Sequence, residues 1–156
     1  MNQEEIKNII NGILQGSIPL EEGVQQIEHG IAEPVGSFAV LDHQRAARTG
    51  FPEVIYGPGK TNDQIIKIFQ HLQARSSTVM ATRIERSVAE VLKQALPDAT
   101  YNEVARIFYV SDQQPTRDGI AVVTAGTGDI PVAEEAALTA ELMGNRVKRI
   151  FDVGVA

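Results

Sequence analysis

The 156-residue sequence contains no cysteine and no tryptophan. The first absence removes disulfides, thiolate zinc sites and thiol nucleophiles together, and three histidines leave little for transition-metal ligation. Aromatic residues are scarce, at 5% of the chain, so a core has to be built mainly from aliphatic side chains. No run approaches the roughly 18 to 20 uninterrupted apolar residues of a membrane helix. The opening Asn-Gln-Glu-Glu also lacks the basic and apolar regions of a signal peptide. The expectation is a cytosolic (cytoplasmic) protein that engages no membrane. Bases are outnumbered, 14 Lys and Arg against 20 Asp and Glu, for a formal net charge of -6. Such a surface repels phosphate polymers, so no nucleic-acid partner is expected. Chemistry on these residues has to use Asp, Glu, Arg, Lys, hydroxyls and backbone.

What is present is ordinary in amount and uneven in placement. Hydrophobic residues make up 43% of the chain and charged residues 22%, enough for one real core or two small ones. Residues 1 to 41 hold six acids and one base, residues 42 to 116 eight and nine, and residues 117 to 156 six and four. A small anion could therefore still find a local cluster of bases in the middle of the chain.

Hydrophobic periodicity divides the chain further. Ile6, Ile9, Ile10, Ile13 and Leu14 recur at helical spacing, Gly16 stops that helix, and Ser17 with Glu21 opens a second through Pro19. Leu20, Val24 and Ile27 form the second stripe. This predicts a helical hairpin over 1–30 that serves docking or dimerisation, since about thirty residues cannot bury both stripes. A small α/β domain is expected over 31–116. Its strands fall at Ser37–Leu41 and Thr78–Thr82, its helices at Asn62–Ala74 and Ile84–Leu96, and a long β-rich run at Tyr101–Val110. Ser111–Gly119 has the composition of a linker.

From 117 to 156 the order is strand, glycine turn, helix, strand: Ile120–Val123, TAGTGD, Pro131–Met143 with proline in its first turn, and Val147–Phe151. That is the βαβ unit of a parallel sheet. Parallel sheets are normally covered on both faces and built from several such units. The expectation is thus the first βαβ of an unfinished second domain, and a chain that is the front portion of a longer protein.

Two constellations could carry chemistry. Thr124, Ala125, Gly126, Thr127, Gly128 and Asp129 fall between a strand's carboxyl end and a helix's amino end, where open α/β sheets bind ligands. The glycines would let backbone approach a ligand, and the first helical turn favours phosphate. Asp129 would compete with an anion there and suits a ribose hydroxyl or a metal; it could equally cap the helix. The pattern G-x-G-x-x-P is not the dinucleotide fingerprint, and the acid ending the second strand is Asp152. The second constellation is Asp42, His43, Arg45, Arg48, Glu53 and Lys60, interrupted by Gly50, Pro52 and Pro58-Gly59. Arg45 and Arg48 are three apart, so one helical turn puts both guanidinium forks on one face, as an anion clamp requires. The alternative for this segment is a solvated salt-bridge loop.

The run LDHQRAARTGFPEVIYGPGKT, the strand TVMATRI and the later IAVVTAGTGDIPVAEEA resemble the LarB family of nickel-pincer nucleotide biosynthesis proteins, over about Asp42 to Ala156. That family is similar in its C-terminal half to the aminoimidazole ribonucleotide carboxylases. The resemblance implies an α/β protein whose second part is a flavodoxin-like parallel sheet. It implies carboxylation of the pyridinium C5 of nicotinic acid adenine dinucleotide by carbon dioxide or bicarbonate, and hydrolysis of the phosphoanhydride, on the way to the nickel cofactor of lactate racemase. A divalent cation, expected to be magnesium, NAD as a substrate analogue, and a homo-oligomer, octameric in the full-length family, come with it.

Under the resemblance Arg45, Arg48 and Lys60 clamp the anionic groups, with Asp42, His43 and Glu53 beside them, and Thr124 to Asp129 form the loop around ribose and phosphate. Gly126 and Gly128 stand where the purine carboxylases carry serines, which puts backbone N–H groups in place of hydroxyls. The family's nucleophile is a cysteine. With none in this chain, it is expected beyond Ala156, and the 156 residues alone are expected to be inactive. The rival reading is a non-catalytic nucleotide-binding or subunit-assembly module.

Overall fold

The apolar spacing at the amino end folds as two helices, α1 (Gln3–Leu14) and α2 (Leu20–Ile31), in a computed structural model that describes residues 3–43 and 45–154. Gly16 takes φ +73° in the turn between them, a conformation that favours glycine. Ser17 does not open α2 as its sequence position suggests. Its hydroxyl donates back to the Gly12 carbonyl at 3.0 Å, and Pro19 stands before α2 without a capping bond. A strand absent from the sequence reading follows: β1 (Ala32–Val35) pairs antiparallel with β2 (Ala39–Asp42), Ala32 opposite Asp42. Pro34 disguises β1, yet proline is tolerated in a two-stranded ribbon with a free edge. Val35 and Leu41 are its buried residues. A single-turn helix, α3 (Arg45–Thr49), comes next. The chain divides by its contacts into two units, residues 1–53 and 54–156.

The second unit is built on a mixed sheet in the order β3-β4-β6-β5: β3 (Ile55–Tyr56), β4 (Val79–Thr82), β5 (Thr100–Asn102) and β6 (Ile107–Val110). β3 and β4 run parallel, and the other pairs are antiparallel. The expected single run at Tyr101–Val110 is a hairpin. Asn102 Oδ1 accepts the Ala105 N–H at 2.9 Å and Arg106 takes φ +54°, so the turn forms without the glycine that usually announces one. Helices α4 (Asn62–Gln73) and α5 (Arg86–Ala95) join these strands. α4 opens with a reciprocal capping box between Thr61 and Gln64, which satisfies two otherwise unpaired N–H groups. It buries Ile65, Ile68, Phe69 and Leu72, and Phe69 meets Phe108 of β6 edge to face, with centroids 5.7 Å apart.

The last segment forms the expected βαβ: β7 (Arg117–Val123), α6 (Ile130–Leu142) and β8 (Asn145–Ile150), with β7 and β8 parallel. β7 starts inside the predicted linker, because Thr116 and Arg117 donate to the Gly144 carbonyl and anchor the strand three residues early. α6 packs on two sheets. Leu138 and Leu142 join Met80, Ala105 and Ile107 in one buried cluster on the four-stranded sheet, while Arg149 of β8 grips Glu134 and Glu141. Among the described residues, no helix is long and apolar enough to cross a membrane.

Candidate functional site

The glycine loop leaves β7 at Thr124 and enters α6 through a short 3-10 turn, Thr127–Asp129. Its first residue is held on every side. Thr124 is buried; its N–H donates to the Ile150 carbonyl at 3.1 Å, its carbonyl accepts from Val153 at 3.1 Å, and its Oγ1 accepts from Asp152 N at 3.2 Å. Gly154 N donates to the Ala125 carbonyl at 2.7 Å. The segments following β7 and β8 are thus zipped along the carboxyl edge of the parallel pair, the edge where open α/β sheets receive ligands.

A cleft of ≈ 390 Å³ opens there, lined by Val122, Val123, Thr124, Ala125, Asp129, Val132, Ala133 and Ala136, a size suited to a small ligand. Its walls are largely apolar, and Asp129 is the one charge among its described lining residues. That carboxylate makes no capping bond to α6, so of the two roles open to it in the sequence, capping is not the one it fills. Gly126 and Gly128 have open space where a side chain would stand, and Gly126 is extended at φ −127°. Neither glycine is demanded by backbone conformation, and the room they leave faces outward.

The segment from Asp42 to Glu53 forms an internal network in the first unit. Arg48 Nη2 reaches Asp42 Oδ2 at 2.5 Å, Asp42 N donates to Glu53 Oε2 at 2.9 Å, and His43 Nε2 meets Glu33 Oε2 at 2.7 Å. The His43 side chain is only 6% exposed. Arg45 and Arg48 share α3, as their spacing predicts, but Arg48 spends its charge on Asp42 while Arg45 meets no carboxylate among the described residues. Glu33 was not singled out in the sequence; only the pairing of β1 with β2 brings it to His43. Lys60 belongs to the second unit, where its Nζ donates to the Tyr56 carbonyl at 2.9 Å.

Elsewhere in the second unit the charges are largely paired. Arg83, at the end of β4, donates from Nε to both oxygens of Glu135, which holds its guanidinium above the ordinary value. Arg149 is likewise raised by its bonds to Glu141 and Glu134, against the opposing effect of burial. Burial pushes the Tyr101 hydroxyl up, and it donates to the Ile84 carbonyl at 2.8 Å. A second groove, ≈ 430 Å³ between α5 and β5, is lined by Arg86, Ala89, Glu90, Lys93, Tyr101 and Glu103. Arg86 is engaged by Glu90 and Glu103, and Lys93 by the Pro97 and Ala99 carbonyls. No described group of three or more His, Asp or Glu side chains is placed to hold a metal ion.

These features define an α/β protein with a strand–glycine loop–helix–strand unit and a cleft containing Asp129 beside that loop. Residues 32–113 match the LarB/PurE-like N-terminal domain, more than half of the chain, and the chain belongs to that family. It is 35% identical over 161 residues to an uncharacterized protein of Methanocaldococcus jannaschii, MJ0165, an alignment covering 98% of this chain and 63% of that protein. The chain thus spans less than two thirds of this relative's length. The family match includes Asp42 to Glu53 and Lys60; the glycine loop lies outside it.

Proposed function

We propose that the protein serves a LarB-type reaction: it binds nicotinic acid adenine dinucleotide, whose pyridinium ring is carboxylated at C5 and whose phosphoanhydride is hydrolysed. The observation that carries this reading is the family match over residues 32–113. The glycine loop supports it, since its open backbone and the free Asp129 suit a phosphate and a ribose hydroxyl side by side. Arg45, with no counter-ion among the described residues, is the group of the basic segment best able to meet an anion of the substrate.

A pyridinium ring is electron-poor. A nucleophile has to add to it before C5 can attack carbon dioxide; C5 then releases its proton, the nucleophile leaves so that the pyridinium is restored, and water cleaves the anhydride to yield the dicarboxylated mononucleotide and AMP. Proteins supply such a nucleophile best as a thiolate, and these 156 residues contain no cysteine. The chain by itself therefore binds without turning over. Among the described residues no group of three or more His, Asp or Glu side chains is placed to hold a metal ion, and no step here is routed through one; magnesium, in this reading, would enter with the substrate's pyrophosphate. The assembly is a homo-oligomer.

The test is titration of the chain with the dinucleotide, or with NAD as analogue, together with an activity assay containing bicarbonate and magnesium. Binding without turnover is expected, and Arg45→Ala should weaken it about tenfold or more while Arg48→Ala, whose partner is Asp42, weakens it less. Turnover by the cysteine-free chain would sink the nucleophile argument. A second reading, a non-catalytic assembly module, draws on the exposed Leu14, Leu20 and Val24 of the helical hairpin. A defined oligomer that binds no nucleotide would favour it.

A further inference from the structure

We infer that Asp152 is a ribose-recognition residue, its carboxylate accepting the cis-diol of the nucleotide held by the Thr124–Asp129 loop. The inference rests on the nucleotide reading of that loop. In Rossmann-type dinucleotide units the ligand crosses the carboxyl ends of adjacent parallel strands, and an acid ending the second strand takes the sugar. The glycine pattern here differs from theirs, but an acid stands at the corresponding strand end. Here the two strand ends are neighbours: Val123 is the register partner of Ile150, and Thr124 N bonds the Ile150 carbonyl. Asp152 follows two residues later, its N–H on Thr124 Oγ1, so it stands beside the loop's first residue at the same edge. Its φ of +57° is one that Asp and Asn adopt more readily than other side chains, which turns the chain sharply as β8 ends.

Among the described residues, charge pairing leaves two acids of this segment without an arginine, Asp129 in the loop and Asp152 at the strand end. Asp118, Glu134, Glu135 and Glu141 each meet an arginine. Asp152 is exposed, and no donor meets its carboxylate among the described residues. An unpaired carboxylate repels phosphate but can accept both hydroxyls of a vicinal diol through its two oxygens. Asp152 is not among the residues lining the cleft that contains Asp129. The ligand therefore lies over Thr124 and Ala125, with one part in the cleft and a ribose at Asp152.

The experiment is calorimetric titration of the 156-residue chain and of Asp152→Asn with AMP, nicotinic acid mononucleotide, and the 2′-deoxy form of each. Asn is compatible with the left-handed backbone at this position, and circular dichroism checks the fold. For wild type, removal of the 2′-hydroxyl from the mononucleotide that binds should cost about ten- to a hundredfold in affinity. Asp152→Asn should bind the ribo and deoxy forms alike. An unchanged ribo-to-deoxy ratio in Asp152→Asn, or no discrimination by wild type, overturns the inference even if the dinucleotide binds, which leaves the proposed function intact. Diol discrimination lost in Asp152→Asn, in a protein indifferent to nicotinic acid adenine dinucleotide, upholds the inference and removes that substrate. Absence of all nucleotide binding overturns both.

Discussion

Gly154→Ala tests whether the zipper beneath the glycine loop shapes the site. An alanine Cβ at 154 would lie 2.4 Å from the Ala125 carbonyl oxygen and 3.2 Å from its carbon, closer to backbone than such atoms come. The same oxygen accepts the Gly154 N–H at 2.7 Å, so the residue cannot retreat without stretching that bond. If the strand end stays in place, overpacking costs about 1–3 kcal/mol. If it lets go, it forfeits up to three bonds, those of Asp152, Val153 and Gly154, at about 1 kcal/mol each. Either route leads to a loss of about 1–3 kcal/mol. Each kcal/mol moves the melting temperature by about 2–8 °C in domains of this size range, so a drop of at least about 2 °C is expected in calorimetry, with faster amide exchange at Val153. Gly126→Ala is the control. A Cβ there meets nothing within 4 Å and the backbone is extended, so stability should hold or rise by up to about 1 kcal/mol, while nucleotide affinity falls because the added methyl occupies the ligand's approach. Equal melting temperatures for wild type and Gly154→Ala, or an equal fall for Gly126→Ala, would refute the reasoning.

Two further predictions concern the paired groups. Arg149→Met leaves the partly buried Glu134 and Glu141 carboxylates, 17% and 28% exposed, without their arginine. It should cost about 2–4 kcal/mol in urea denaturation, and adding Glu134→Gln with Glu141→Gln should recover part of that; no recovery would argue that the loss is packing alone. Tyr101 titrates in the alkaline range: burial raises its hydroxyl above the ordinary value near about 10, so the unfolded chain loses that proton first. Its contribution is complete below about pH 10 and falls away as pH rises through the folded value. Tyr101→Phe should lose about 1 kcal/mol at neutral pH with the bond to the Ile84 carbonyl, yet lose less than wild type between pH 9 and about 11, and parallel curves would refute the assignment.

Periodicity was a sufficient guide where one face of an element is buried and its ends are marked. α4 shows both conditions, with Ile65, Ile68, Phe69 and Leu72 on one side and Thr61 at its start, and the βαβ unit is marked by glycines and a proline. It failed where the turn is made by side-chain chemistry. Nothing in the run Tyr101 to Val110 announces that Asn102 bonds Ala105 and that Arg106 takes a left-handed conformation. β1 stayed hidden because Pro34 argues against a strand until its partner is known. The candidate site divides in the same way. The loop Thr124–Asp129 is contiguous and was legible, whereas the pairing of His43 with Glu33 and of Arg48 with Asp42 depends on a strand and a helical turn whose placement spacing alone could not supply. Gly154 reads as an ordinary terminal glycine until the Ala125 carbonyl is seen against it.

The helix that follows the glycine loop links the two sheets of the second unit. α6 contributes Leu138 and Leu142 to the core shared with Met80 and Ile107, and Glu134 and Glu141 to Arg149 of β8. Its first turn begins directly after Asp129. Anything that shifts α6 against the β4–β6 sheet therefore shifts the loop against β8, and the Arg83–Glu135 pair ties the same helix to the end of β4. This gives the four-stranded sheet a part in the site without touching a ligand: it fixes the height at which the α6 amino end meets the parallel pair. Well-packed interiors transmit displacements of this type because they have no slack to absorb them. The segment matched to the LarB/PurE-like N-terminal domain ends at residue 113, and α6 shows how the part of it from residue 54 onward and the glycine loop after it form one structural unit.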